Sequence, residues 1–267
     1  MDKFERKIIN RYLEKRRSTI AELTPKLCIL DLLSQLRPIK SGHELIRIGP
    51  AGDGGYLLPD DLSDVRTLFS PGVGDECGFE ADCLRRGMKV FLADASVDSA
   101  VPLQGDYEFR KEYIGGYTHG QYISLDDWIL QSSVVDDHDM LLQMDIEGAE
   151  LEVMLGAPIT LLQHFRIMVI EFHRLDRWWN LPFFELIQLM FGKILSTHVC
   201  VHCHPNIRGG IVSRNGIDLP RHVELTFLRR DRVHSWDYVE HLPHPLDAQE
   251  HTDTSVTMPA IWYQRHD

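Results

Sequence analysis

Four carboxylates fall within eight residues of the stretch LLQMDIEGAELEVM: Asp145, Glu147, Glu150 and Glu152. They end an apolar run suited to a protein interior, and carboxylates are costly to bury. Two readings follow. Either they begin a solvated helix, with Asp145 as its cap, or the run is a strand whose end opens onto a site. A second stretch, SPGVGDECGFEADCLRRGMKVFLADAS, places Gly72 and Gly74 between an apolar run and a helical pattern. Glycines there let a ligand approach the backbone closely, and a helix N-terminus offers free N–H donors. The next run, Lys89 to Ala93, delivers Asp94 twenty residues after Gly74, where an acid accepts hydrogen bonds from ribose hydroxyls. That order points to an adenosine-bearing ligand. The dinucleotide fingerprint asks for a third glycine at 77, where this chain has Cys77; this lowers the NAD reading relative to S-adenosylmethionine.

Further donors sit at the ends of other apolar runs. Glu171 and His173 close VIEFH, and with Asp145 they form a hard O/N set suited to Mg²⁺ or Mn²⁺. In THVCVHCHPN, alternation would turn Cys200 and Cys203 to opposite faces, which argues against structural zinc. His198, Cys200, His202 and His204 would then share a face, and a histidine pair spaced i, i+2 could meet substrate or a divalent ion. Trp178, Trp179, Phe183 and Phe184 read as core, with a platform for a sugar ring as the functional alternative.

The elements that must position these residues are legible as a pattern. From Arg66 to His173 the runs VRTLFS, KVFLAD, EFRKEYI, MLLQMD and RIMVIEF alternate with helical candidates starting near Glu76, Leu125 and Ala149. Such alternation predicts βαβ units in a parallel sheet covered on both faces. THVCVHC and VELTFLRR are strand-like and could close the sheet edge. Upstream, Asp53-Gly54-Gly55 reads as a turn between two extended pieces, followed by Tyr56 as a lid contact or turn anchor. Residues 1–40 read as two helices, the second capped by Thr24 with Pro25 at its first position and Leu27, Leu30, Leu33 and Leu36 on one side. Residues 232–267 read as an extended tail pinned by Trp236 and Trp262.

With these elements in order, the chain resembles the FkbM-type S-adenosylmethionine-dependent methyltransferases. The resemblance is carried by the D-I-E-G-x-E element at Asp145–Glu150, by DGGYLLPDDL, YISLDDWI and VIEFH, and by HCHPN and VELTFLRRD. It implies a class I methyltransferase fold: α/β, a Rossmann-like, doubly wound, mostly parallel seven-stranded sheet. That domain would span 41–231, between an N-terminal helical extension at 1–40 and a C-terminal tail at 232–267. It also implies methyl transfer to an oxygen of a sugar, glycan or related small molecule, with Asp145 beside the transferable methyl. The expected cofactor contacts are Gly72, Gly74, Asp75, Asp94, Ser96 and Asp126. Asp145 is expected to grip the acceptor and His173 to act as base, because an imidazole titrates near neutral pH, with His202 and His204 in reserve.

Bulk properties bound these readings. The formal net charge is −12, and no basic stripe offers a grip on nucleic acid phosphates. The basic segment at 3–17 reads as an amphipathic helix. Five irregularly spaced cysteines suit reduced thiols. With no apolar leader and no run of about eighteen apolar residues, a cytoplasmic protein without a transmembrane segment is expected; a homo-oligomer remains compatible. An NAD-dependent Rossmann enzyme and a non-catalytic interaction module that keeps the fold are the alternative classes.

Overall fold

In the computed structural model, seven apolar runs become the strands of one sheet: β1 (Thr67–Pro71), β2 (Lys89–Ala93), β3 (Tyr107–Arg110), β4 (Met140–Met144), β5 (Phe165–Phe172), β6 (His198–Pro205) and β7 (Val223–Arg229). The structure describes residues 20–134, 139–206, 209–247 and 257–264. The basic segment at 3–17 and the tail residues His251 and His266 lie outside them. In this numbering the strand order is 3-2-1-4-5-7-6. β1 to β5 pair in parallel, and β7 inserts antiparallel between β5 and β6. This is the expected α/β, Rossmann-like, doubly wound sheet, and no described helix is long and apolar enough to cross a membrane.

Alternation along each strand fills two cores. Phe69, Phe91, Leu142, Met168 and Ile170 face one, packed on helices α1 (Lys26–Gln35), α3 (Leu125–Leu130), α4 (Glu150–Gly156) and α5 (Leu181–Thr197). Leu68, Val90, Leu141, Ile167 and Val169 face the other, beneath α2 (Gly78–Arg85) and the hairpin Leu45–Ile48/Tyr56–Pro59. Both faces are dry, so the strands read as continuous apolar runs. The chain reverses its winding between β1 and β4, and the crevice outside the strand ends at such a point is where doubly wound sheets bind ligands. The expected turn at Asp53-Gly54-Gly55 joins the hairpin strands, with the Gly55 N–H donating to Gly52 O at 3.2 Å.

Five local expectations are corrected. EFRKEYI is not one strand: it breaks after Arg110, and Tyr113–Gly115 pairs instead with Tyr122–Ser124 in a separate small ladder. Thr24 does not cap α1; its hydroxyl donates to Trp178 O at 2.5 Å, and the helix starts after Pro25. The inward face of α1 is Ile29, Leu32, Leu33 and Leu36, while Leu27 in its first turn is exposed. In β6 a register shift between Cys200 and His202 resets the alternation, so Cys200 and Cys203 pack in the same core rather than on opposite faces. All five cysteines are free thiols. Trp262 is buried, 6.1 Å from Trp178 between ring centroids, whereas Trp236 is exposed.

Phe69 tests this arrangement. Its ring stacks on Phe91 at 4.8 Å and meets Trp128 edge-on at 4.9 Å, with no solvent exposure. Phe69→Ala should destabilise the fold by about 3–5 kcal/mol, read as a lower urea midpoint with an unchanged slope.

Candidate active site

A cleft of about 1010 Å³ opens outside the carboxyl ends of β1, β2, β4 and β5. Its floor begins at Gly72, which follows β1 with φ +83°; a Cβ there would lie 1.6 Å from the Asp145 carbonyl oxygen. Only glycine lets the turns after β1 and β4 touch in this way. The Asp145 N–H also donates to Pro71 O at 3.2 Å. Across the turn, Asp94 at the end of β2 accepts from Gly74 N at 3.0 Å, Ser96 N at 2.7 Å and Ser96 Oγ at 2.6 Å. Gly72, Gly74, Asp75, Asp94 and Ser96 therefore line one region of the cleft. Asp126 does not: it lies in the first turn of α3, and the wall there is made by Tyr113, Ile114 and Tyr122 of the preceding ladder.

The opposite region is built around Glu150. This first-turn residue of α4 is only 2% exposed, and Oε1 accepts from Gly148 N at 2.9 Å, Ile146 N at 3.3 Å and His173 Nδ1 at 3.0 Å. The cap of α4 is Ala149, so the helix-cap reading of Asp145 fails. Asp145 Oδ1 is buried without a hydrogen-bond donor among the described residues, and His173 Nε2 stands 3.7 Å from it. His173 Nε2 also lies 3.4 Å from Glu147 and 3.6 Å from Glu171. Burial pushes the Asp145 carboxyl up to about 7, against the pull of His173 and with Glu147 adding to the rise. Burial alone would lower His173, but the Glu150 hydrogen bond and the charges of Glu150, Glu171 and Asp145 raise it to about 9.

That charge state changes one expectation. A ring protonated at neutral pH is not a base, so the general-base role expected of His173 lacks its lone pair. Asp145, Glu171 and His173 do converge, and one ligand atom from each of Glu171, His173 and His222, or of Asp145, Glu147 and His173, falls within 4.8 Å of the others. His202 and His204 are absent from the cleft because the β6 bulge turns them toward the hairpin and Asp247. Trp178, Trp179 and Phe184 are core, not a platform. Tyr56 is an anchor in the cleft wall, its hydroxyl accepting from Gln143 Nε2 at 3.2 Å. Two residues that the sequence reading overlooked are Asn206, which donates to Glu171 at 3.0 Å, and His222, whose ring lies 4.5 Å from that of His173. The antiparallel sense of β7 is the missing signal: it brings the residue before that strand to the same rim as the residues after the parallel ones.

Residues 71–197 match the profile of the methyltransferase FkbM domain. The chain carries an FkbM methyltransferase domain. Its matched span holds Gly72, Asp94, Asp145, Glu150, Glu171 and His173, and stops short of Asn206 and His222. No curated protein matches the chain. Solved structures similar to it include the N-methyltransferase NodS of Bradyrhizobium japonicum WM9, 10% identical over 63% of this chain and 88% of that one, with a TM-score of 0.34. A human methyltransferase 10 domain containing protein is 11% identical over 80% and 82%, with a TM-score of 0.33. Likenesses this distant leave the fold assignment to the strand order itself.

The charge cluster of the FkbM domain makes stability depend on pH. Stabilisation from His173 is fully present below its ordinary 6.5 and is lost as pH rises through about 9. Asp145 acts in the same sense at lower pH, its penalty growing from the ordinary 3.8 up to about 7. The unfolding free energy should therefore fall between pH 6.5 and 9. Glu150→Gln should flatten that fall and lower the His173 midpoint, read from the ring resonances by NMR.

Proposed function

We propose that the cleft binds S-adenosylmethionine and serves methyl transfer to a hydroxyl of a sugar or related small molecule. The carrying observation is that the glycine turn, Asp94 and the Asp145–His173 pair share one cleft. At about 1010 Å³ it is at the upper end of the usual range for ligand sites, about 300–1,000 Å³, which leaves room for a methyl donor and an acceptor together. The fit to the donor rests on the open space at Gly74, where a Cβ would meet nothing within 4 Å, with Gly72 and Asp75 beside it for the methionine portion. Asp94 and Ser96 would hold the ribose, Asp94 exchanging its present donors for ribose hydroxyls. S-adenosylmethionine, when bound, supplies a methyl group already activated on a sulfonium.

The wall chemistry supports the acceptor class. Among the described residues, carboxylates from Asp53, Asp75, Glu76, Asp145, Glu147, Glu152 and Glu171 line the cleft and no lysine or arginine does. Such a wall favours a cationic sulfonium and hydroxyl donors, and it repels phosphate, which argues against a nucleic acid acceptor. Tyr113 and Tyr122, each 38% exposed, offer an apolar surface to a sugar ring.

The protein's part in the reaction is to align the acceptor, exclude water and take one proton. Alignment is worth roughly 7–11 kcal/mol. A sugar hydroxyl is a poor nucleophile, and Asp145 is the group placed to receive its proton. Oδ1 has no competing donor, and with its carboxyl pushed up to about 7 it stands near the optimum for a base at neutral pH. The imidazolium of His173 holds Asp145 and Glu171 at fixed places, and Asn206 orients Glu171.

Thermal unfolding with S-adenosylmethionine and with NAD tests the cofactor. At a hundred times the dissociation constant, a ligand of the folded state stabilises by about 2.7 kcal/mol. S-adenosylmethionine alone should raise Tm, and Asp94→Ala should blunt the rise; no shift, or a shift with NAD instead, would count against the reading. Mass spectrometry of a glycan and nucleotide-sugar panel with labelled donor then identifies the acceptor. On that acceptor Asp145→Asn should keep the Tm shift and lose at least about 10²-fold in turnover. The wild-type rate should rise with pH through a midpoint near 7 that the variant lacks.

A further inference from the structure

His202 and His204, excluded from the cleft, meet a carboxylate elsewhere. His202 Nε2 lies 2.9 Å from Asp247 Oδ1, and His204 Nδ1 lies 3.6 Å from the same atom. One ligand atom from each residue falls within 4.8 Å of the others. We propose that His202, His204 and Asp247 bind a single zinc ion that fastens the C-terminal segment to the edge of the sheet.

Four observations carry this. The donor set is two imidazoles and one carboxylate, each a zinc ligand. Zn–N and Zn–O bonds of about 2.0–2.2 Å place tetrahedral ligand atoms roughly 3.3–3.6 Å apart; the His204–Asp247 separation of 3.6 Å falls in that range, and the His202–Asp247 hydrogen bond of 2.9 Å would open slightly to admit the ion. The enclosing cavity, walled also by Arg47, Gly52, Gly55, Leu57 and Glu224, has a volume of about 10 Å³. That is the size of one water-sized sphere, too small for an organic ligand and suited to a bare ion. The carboxylate is also held in place by the backbone of His244: Asp247 Oδ2 accepts from His244 N at 2.7 Å, and Asp247 N donates to His244 O at 2.9 Å. Oδ1 is thereby aimed at the two rings.

The neighbouring charges are of both signs, Glu224 favouring a cation and Arg47 opposing it. Glu224 pairs with His204 across the β6–β7 ladder and adds a second carboxylate to the wall. The Arg47 guanidinium is turned onto the carbonyls of Pro50 at 2.7 Å, Gly52 at 2.9 Å and Leu246 at 3.4 Å. The ion would be structural, since the cavity leaves no room for a substrate. It would still be felt in the cleft: Gly52 and Gly55 wall the zinc cavity while Asp53 and Gly54, between them, wall the cleft. This site stands apart from the methyl-transfer reading and does not need it.

The test strips full-length protein with EDTA, returns it to chelator-free buffer and titrates it with ZnCl₂. Zinc retained through gel filtration is measured by mass spectrometry and unfolding by circular dichroism. One equivalent should be retained, with a rise in Tm. His204→Ala and Asp247→Asn should each lose both, while His222→Ala, which alters the cluster in the cleft, should keep both. If His204→Ala does not fold, the near-isosteric Asp247→Asn decides. No retained zinc in the wild type, or an equivalent that survives Asp247→Asn, overturns the proposal. Loss in His222→Ala but not in Asp247→Asn would move the ion to the cleft and overturn it equally.

Discussion

Glu150 Oε1 receives N–H groups from two distant parts of the chain: Ile146 and Gly148 in the turn after β4, and His173 at the end of β5. A carboxylate this deeply buried would be costly if any of those donors were missing. Their presence makes it the joint of the site. The turn it closes is strained, with Glu147 at φ +56° and Gly148 at φ +106°; a non-glycine residue in that region costs on the order of 1–3 kcal/mol and persists only where its surroundings hold it. What the strain achieves is direction. The chain leaves β4, drops Asp145 into the cleft, turns Glu147 outward and still starts α4 three residues later.

The same joint explains why the motif spacing carries information. In D-I-E-G-x-E, the last carboxylate reaches back to the backbone of the second and fourth positions, so the two ends of the element define each other. Glycine is required at 148 by its backbone, which stands at φ +106°. At Gly72 the demand comes from across the sheet, where the Asp145 carbonyl fills the space of a side chain. One constraint is local and readable from a segment; the other exists only after β1 and β4 become neighbours.

That distinction separates what the sequence disclosed from what it did not. Four of the five apolar runs from Arg66 to His173, the glycine turn and the placement of Asp94 follow from periodicity and punctuation, which are local properties. Cys200 and Cys203 defeated the same logic, because a bulge in β6 inserts one residue and reverses the faces beyond it. Thr24 has the right chemistry for a helix cap, yet its hydroxyl is claimed by Trp178, 154 residues away. The protonated state of His173 was beyond reach too. An isolated imidazole suggests a base, but three carboxylates gathered from two strand ends and a helix turn make it a cation. Residues read correctly by position can thus be misread by charge, since charge is set by neighbours that only the fold assembles.

The matched domain span also divides the cleft in a way that bears on specificity. Gly72, Gly74 and Asp94 lie inside residues 71–197 and form the donor side of the proposed reaction, and Asp145, its proposed base, lies inside that span too. Asp53, Tyr56, Asn206 and His222 line the cleft from outside that span, delivered by the upstream hairpin, the end of β6 and the start of β7. Beneath them a polar floor crosses the sheet. Ser70 Oγ lies 2.5 Å from Glu80 Oε1 and 2.7 Å from Gln143 Oε1, and one hydroxyl proton cannot serve both. Burial pushes Glu80 up to about 7, so this carboxyl can bring its own proton, with Ser70 then accepting from Glu80 and donating to Gln143. Gln143 in turn donates to Tyr56. The hairpin that brings Asp53 and Tyr56 to the cleft is therefore tied by a satisfied hydrogen-bond chain to the strands that carry the glycine turn and Asp145. Variation in the hairpin can change what the cleft accepts without disturbing the glycine turn, provided Tyr56 and its partner Gln143 are kept.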